Sequence, residues 1–519
     1  MQQFEVLIVG MGPVGLAAGN LLGQAGNRTR IIERNEGLSS APKALFIDDE
    51  FFRLLSALGL EAPISKHAIY PVDFHYISPL GFRVGLVVGR ITEHHFPNRA
   101  ATYQPDFENI LLDGLRRFPN VSIAFGEELT AFSERDDGME AVVRRGEESM
   151  AYEVRYILAA DGARSTCRRL LGIAYEEVVE YGDRHVVIDV DGDSDQSRIA
   201  LTKLGWRRNF MSLPMPGGRR RFEFSVSDSD NDDDIVSDET LARLFRPYRR
   251  FEELKIIRKV LYSFRARLAR QLGKGRVFLL GDAAHIMPVF GSQGMNSGAR
   301  DANNIAWKLA AVLRGQAGAR VLDTYHDERH AHAAQSVRIA VASGRLQAVR
   351  SPPVAILRDL VLACVNLVPS LRRAIREMRY IPRPVIKSRL VVGSAGSRTF
   401  VGRLLPNPEI ETATGVLQRL DDLIGLNFAL VGIAPVTPLP NLDHLTRRLG
   451  MQIVTVQRAR SAAPSAASVI VKDGRFDEVF ARHSGCWLIV RPDRAVAAVA
   501  TDDSIAADLA AFVREIEKT

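Results

Sequence analysis

The chain has little cysteine. Three residues in 519, Cys167, Cys364 and Cys486, stand far apart. They form no Cys-x-x-Cys and no zinc spacing, which argues against a zinc module, a dithiol redox centre or a disulfide framework. No metal is expected. The scarcity reads as a reducing, cytoplasmic compartment. No secretory leader is read before the first strand, at Phe4. Tryptophan is equally sparse, with only Trp206, Trp307 and Trp487. Long apolar runs are missing. The longest, Val354 to Leu371, is broken by Arg358, Asp359 and Pro369, so no membrane span is expected. Acid falls slightly short of base, 61 against 68, for a net charge of +7. This mildly favours anionic ligands. The excess gathers between Arg345 and Arg389 without an aromatic platform or recognition motif. A solvated or subunit-contact helix face is expected there, not a nucleic-acid surface. A homodimer stays open.

What is present is a globular balance, 46% hydrophobic and 25% charged, over a length that suggests about three domains. The first signal is the densest. Phe4 to Val9 is an apolar, β-branched run ending in Gly10-Met11-Gly12-Pro13-Val14-Gly15, followed by a small-residue helix. A second run, Thr29 to Ile32, ends at Glu33-Arg34. Strand, tight turn, helix and parallel strand make a dinucleotide-binding unit. Gly10 permits the turn, Gly12 lets a pyrophosphate approach the backbone, and Gly15 lets the helix lie close on the sheet. The helix N-terminus offers N–H groups to phosphates, and Glu33 can accept from a ribose diol.

Helices are expected over Asp48 to Leu58, Asp106 to Arg117 and Gly298 to Arg314, and long helices from Leu322 to Met378. Two further acids end strands: Asp161-Gly162 after Tyr156 to Ala160, and Gly281-Asp282 after Arg276 to Leu280. Ligands of open α/β sheets bind at that edge. Alone, Asp161 reads as a helix cap and His285 as a structural histidine. The loop Pro288 to Ser297, with Gly291 and Gly294, leads into a helix N-terminus suited to the electron-rich edge of a heteroaromatic ring.

The expected fold is α/β. A Rossmann-like dinucleotide-binding domain over 1–175 and 268–350 carries an inserted antiparallel-sheet substrate domain over 176–267, joined by part of 70–100. A helical segment and linker over 351–408 follows, then a small α/β domain over 409–519.

Together the three signatures resemble the FAD-dependent aromatic hydroxylases of the para-hydroxybenzoate hydroxylase class. The nearest likeness is to the 3-(3-hydroxyphenyl)propionate and phenol hydroxylase branch. The stretch Gly281-Asp282-Ala283-Ala284-His285-Ile286-Met287-Pro288, and on through Gln293-Gly294-Met295-Asn296 to Leu309, carries it most clearly. The tail, with Leu488 to Asp493, looks like that branch's thioredoxin-like domain without its redox cysteines. The resemblance implies FAD as cofactor, NADH or NADPH as electron donor, and O2 as co-substrate. The oxygen would reach a small aromatic substrate, phenolic or heteroaromatic, through a flavin C4a-hydroperoxide. It implies Glu33 at the adenosine ribose, Lys43 and Gln104 at the flavin's linker, and Asp161 near the pyrophosphate. Asp282 would take the ribityl chain, with Pro288, Gly294, Met295 and Asn296 around the ring. Lys43 stands where many relatives have arginine. Phe290-Gly291-Ser292 departs from the usual start of the loop.

No catalytic base is legible. Tyr262 and His185 are candidates on middle-domain strands, and packed core residues are the blander reading. Arg207 or Arg208 could pair a substrate carboxylate, with Phe290 beside it. A flavin-dependent epoxidase or halogenase is the alternative enzyme. The scattered tryptophans argue against the Trp-x-Trp stretch of halogenases. A non-catalytic FAD-binding protein is the third reading.

Overall fold

Gln2–Val9 forms the spine of an eight-stranded sheet, because its last four residues are fully apolar and buried on both faces. The computed structural model describes residues 2–176, 183–392, 400–434, 436, 442–459 and 468–518. The start of the expected inserted sheet (177–182) and the middle of the Ile381 to Pro408 connection (393–399) lie outside the described residues.

Four strands join Gln2–Val9 in parallel array. Glu148–Ala159 and Thr29–Glu33 flank it, Val277–Leu279 lies outside the first and Val121–Phe125 outside the second. Their carboxyl ends therefore share one edge. Helix Pro13–Gln24 packs on this sheet, between helices Gln104–Leu115 and Gly294–Leu313. The last helix starts four residues earlier than its sequence suggests. Gly294 to Ser297 form its first turn rather than a loop, with the Ser297 N–H donating to Gln293 O.

A seven-stranded sheet stands over that edge. Its order is Lys255–Ser263, Arg184–Asp191, Arg219–Val226, Phe210–Met215, Ile199–Lys203, Asp73–Ile77 and Arg83–Val87. All neighbours are antiparallel except Ile199–Lys203 and Asp73–Ile77. Strand alternation gives this sheet two unlike faces. Phe210, Phe222, Phe224 and Ile188 pack under helix Asp238–Phe245. The opposite face carries Arg221, Glu223, Met211 and Tyr262 and looks toward the first sheet.

Thr324–Gln347, Pro352–Leu367 and Pro369–Arg376 are helices. The last two meet at 106°, and among the described residues no single helix is long and apolar enough to cross a membrane. The outer face of Pro352–Leu367 is apolar, with Leu357, Leu360 and Leu367 exposed.

The C-terminal part is a second seven-stranded sheet with helices. Ala429–Ile433 pairs in parallel with Gln452–Gln457 and antiparallel with Cys486–Val490. Phe428, Trp487, Ile489 and Phe512 belong to the main core, with Phe428 edge-on to Trp307. A buried ionic network closes this contact. Arg491, fully buried, gives two hydrogen bonds to Glu328 at 2.7 and 2.8 Å and pairs with Asp493 at 2.6 Å. Lys308 adds a bond to Glu328 at 2.9 Å. Cys167, Cys364 and Cys486 are all free thiols.

Candidate functional site: a cavity between two sheets

Four parallel carboxyl ends set Asp282, Asp161, the Gly10–Gly15 turn and Glu33 side by side, in that order. All three signatures, far apart in sequence, thus meet at one edge. A cavity of about 620 Å³ opens there and runs on to the polar face of the second sheet. Its size suits a dinucleotide cofactor with a small ligand.

The glycines divide their work. Gly10 has φ +103°, and a Cβ on it would lie 2.4 Å from Ala160 O. A Cβ on Gly15 would lie 2.0 Å from Gly10 O. Both shape the turn, and neither side chain could be larger. A Cβ on Gly12 would meet nothing within 4 Å. That empty space faces the cavity beside Pro13 and Val14 at the start of the helix, where Pro13 brings no N–H and the first-turn N–H groups after it can serve an anion. Gly281 serves packing, with a would-be Cβ 3.0 Å from Val14, and is not among the lining residues.

Glu33 lines the cavity and accepts from the Met11 N–H at 3.1 Å and the Asn35 N–H at 3.0 Å, which fixes the fingerprint turn against the second strand. Arg34 is exposed beside it. Asp161 Oδ2 accepts the Cys167 N–H at 3.0 Å, the helix-capping contact. Its other oxygen, Oδ1, is buried with no partner among the described residues. An unpaired buried carboxylate oxygen at this edge, with the void at Gly12, fits FAD. Asp282 lines the cavity and is exposed there, while the protein packed around it still desolvates the carboxyl. Burial raises its pKa, with His285 and Lys43 pulling the other way.

His285 is structural. It is fully buried and its Nε2 lies 2.7 Å from Asp301 Oδ2. Gln104 lines the cavity with both ends of its amide engaged. Its Oε1 takes the N–H groups of Lys43 and Ala44 at 2.8 Å each, and its Nε2 donates to Glu108. It holds the Lys43 segment in place, while the Lys43 ammonium stays exposed. Burial raises Glu108 to about 7.

Pro288, Phe290, Gly294 and Met295 line the far end of the cavity. Asn296 does not. It is fully buried, with Oδ1 accepting the Asp48 N–H and Nδ2 donating to Phe46 O and Ser292 O. It pins the helix start to a distant loop, so its expected place at a ring edge is corrected to a scaffold role. The Arg99 guanidinium, buried, holds Gly291 O at 3.0 Å from behind the loop.

The sheet face corrects the remaining candidates. Arg207 and Arg208 are not among the cavity residues. Arg207 is exposed, and Arg208 bonds Asp230 and Ser225 O. His185 is fully buried and outside the lining, in a double ion pair with Glu223 at 3.1 Å and Asp183 at 3.5 Å. Against the desolvation that would lower it, these carboxylates raise it to about 9. A cationic histidine cannot serve as the base. Tyr262 does line the cavity. Burial, then Asp282, raises its pKa, so it stays a protonated donor. Sequence reasoning missed Arg221, Glu223, Tyr76 and Arg164, all lining residues. The alternation in Arg219–Val226 was the available signal: two charges on one face of an aromatic strand. Arg221 is closed off by Asp189 at 2.7 Å and by the carbonyls of Pro42 and Lys43. Among the described residues no group of three or more His, Cys, Asp or Glu could hold a metal ion.

A fingerprint sheet edge and a second sheet closing over it define an FAD-binding oxidoreductase. A family model described as FAD binding domain matches residues 3–340, and one described as HcaD C-terminal domain matches 402–515. The chain belongs to this family of FAD-dependent aromatic hydroxylases and is an aromatic-ring monooxygenase. It is 35% identical to 3-(3-hydroxy-phenyl)propionate/3-hydroxycinnamic acid hydroxylase 2 of Burkholderia vietnamiensis strain G4, over 98% of this chain and 96% of that one. It is 32% identical to the corresponding hydroxylase of Comamonas testosteroni, over 97% and 95%. In fold it is similar to the flavin-dependent monooxygenase PieE solved with FAD and substrate, with TM-score 0.81, 19% identity and 99% of each chain covered. It is similar too to aklavinone-11 hydroxylase solved with FAD and aklavinone, with TM-score 0.81, 21% identity and 100% of each covered.

Proposed function

We propose that this chain is a single-component, NADH- or NADPH-dependent hydroxylase of a small phenolic acid of the 3-hydroxyphenyl-alkanoate type. One observation carries the reading: a single cavity joins the phosphate-binding turn to the polar sheet face, so cofactor and substrate can share one space. FAD, when bound, supplies the redox chemistry, taking electrons from NAD(P)H and activating O2. The chain's own residues hold and orient. Gly12 with the Pro13–Gln24 helix start takes the pyrophosphate, and Glu33 and Arg34 the adenosine end. Lys43 and Asp282 take the linker and ribityl chain. Pro288, Gly294 and Met295 meet the ring. Phe290, Met211 and Tyr262 wall the substrate end. The relatives' printed substrates supply the substrate class.

Sheet membership supports the division into a cofactor unit (1–175 with 268–350), a substrate unit (176–267 with part of 70–100), a connecting segment (351–408) and a tail (409–519). The mixed tail sheet supports a thioredoxin-like fold, here structural because it holds no cysteine pair. A cytoplasmic location rests on the free thiols. The exposed apolar face of Pro352–Leu367 supports a homodimer.

The test is a panel of phenolic and heteroaromatic acids. Heat should release FAD by mass. One or more phenols should stimulate NAD(P)H consumption and gain one oxygen. Release of FMN alone, or flat consumption across the panel, would refute the reading. Epoxide or halide products would assign the alternative chemistry.

A further inference from the structure

Glu223 stands out on the sheet face because its two oxygens have different surroundings. The residue is 95% buried, being 5% exposed, and lines the substrate end of the cavity. Oε2 is bonded to His185 Nδ1 at 3.1 Å. Among the described residues no hydrogen bond reaches Oε1, and with Oε2 turned to His185 it is the oxygen left for the cavity that Glu223 lines. A carboxylate this buried is costly unless its charge is met. His185 meets it, and Asp183 at 3.5 Å balances His185 from behind. Phe264 and Phe290 pack edge-on around the imidazole. Burial would raise Glu223, but the His185 bond and charge outweigh it and hold the carboxyl below its usual range. The neighbouring cation, Arg221, faces the same side but is closed off by Asp189. Among the described residues the face thus presents a fixed acceptor and no cation free of a partner, with Tyr262 as a nearby donor.

We propose that Glu223 accepts the hydroxyl of a phenolic ring, and that His185 and Asp183 are positioning residues that keep that acceptor ionised and aimed. The inference rests on the hydroxylase reading and names its substrate class: an aromatic ring bearing a hydroxyl hydrogen-bond donor. The chemistry balances. As one oxygen atom of O2 bonds to a ring carbon, the O–H electron pair moves toward the ring and the proton passes to Glu223. When the attacked carbon loses its hydrogen as a proton, that proton passes through solvent to the newly added oxygen, and Glu223 returns its own proton to the original ring oxygen. NAD(P)H supplies the two electrons and one of the two protons that reduce the second oxygen atom to water, and solvent supplies the other proton. A base in hydrogen-bond reach contributes about 100-fold or more.

The test uses FAD-loaded full-length protein. The probes are 3-(3-hydroxyphenyl)propionate, or the most stimulating phenol of the panel, and its methyl ether. The ether fills nearly the same volume but donates no hydrogen bond. Binding is read from the absorbance of bound flavin, separately from turnover. The original protein should prefer the phenol at least tenfold. Glu223→Gln should keep FAD and cut that preference below twofold. Its kcat should fall ~100-fold with a smaller change in KM. Glu223→Asp should recover part of both. If Glu223→Gln misfolds because His185 loses its counter-charge, the double variant Glu223→Gln/His185→Gln removes both charges and carries the same readings. An unchanged phenol preference and kcat in either folded variant overturns the proposal while leaving the hydroxylase reading intact. Failure of the unmutated protein to bind or oxidise any phenol overturns the hydroxylase reading, and this proposal with it.

Discussion

Replacing Gly12 by alanine should separate cofactor binding from folding. Gly12 has φ −72° and ψ 178°, an ordinary extended conformation for any residue, and its would-be Cβ meets no protein atom within 4 Å. Two small effects on the apoprotein oppose each other. Alanine restricts the unfolded chain, a gain of about 0.4–1 kcal/mol, but is a poorer N-cap than glycine, a loss of similar size. Apoprotein stability should therefore stay within ~1 kcal/mol. The methyl would instead occupy the space a pyrophosphate needs. Losing one or two charge-assisted backbone contacts costs about 1.5–3 kcal/mol, roughly a hundredfold in affinity. At free FAD a hundred times the original Kd, binding stabilises by about 2.7 kcal/mol. At the same concentration the variant should keep only ~0.4 kcal/mol. Gly15→Ala is the contrast, since its Cβ would lie 2.0 Å from Gly10 O, a backbone atom that cannot move aside. That variant should lose apoprotein stability outright. Urea unfolding of apoprotein and FAD-reconstituted protein, with flavin fluorescence titration, reads both quantities. Undiminished FAD affinity in Gly12→Ala, or an apoprotein as damaged as Gly15→Ala, would refute the reasoning.

Burial raises Asp282, so its charge opposes folding of the apoprotein above the normal carboxyl pKa and is relieved as pH falls. Asp282→Asn should make the apoprotein more stable at neutral pH yet retain FAD less well; tighter FAD binding in equilibrium dialysis would contradict the ribityl role. His185 is raised to about 9, so its pairing contributes fully below the unfolded value near 6.5 and is lost as pH rises through about 9. The stability difference between the original protein and His185→Gln should shrink across that window, and a flat difference in denaturant titrations would exclude the charged pair. Arg491→Met leaves Glu328 and Asp493 without their main buried counter-charge, with Lys308 as remaining cation. It should cost about 3–5 kcal/mol, read as a lowered unfolding midpoint, and a shift under 1 kcal/mol would show the network to be dispensable.

The sequence by itself determined the cofactor edge of this protein, because the information there is local. A strand, a glycine turn and a helix are contiguous, and the steric demands of Gly10 and Gly15 act over a few residues. The same holds for the acids Asp161 and Asp282, each read from the strand that delivers it. The order of the three strands was not local, yet parallel crossovers leave few choices, so their carboxyl ends could be expected on one edge. Only the tertiary structure decided the substrate end. Strand alternation divides Arg219–Val226 into two faces, but cannot say which meets the cavity. It could not show that Arg221 is closed off by Asp189 and Pro42, nor that His185 is held by Glu223, 38 residues away. It placed Asn296 correctly in the motif and wrongly in the site, because Asp48 and Phe46, some 250 residues earlier, hold its amide. Polar side chains take their roles from the partners that burial forces on them, and strand register and sheet packing choose those partners.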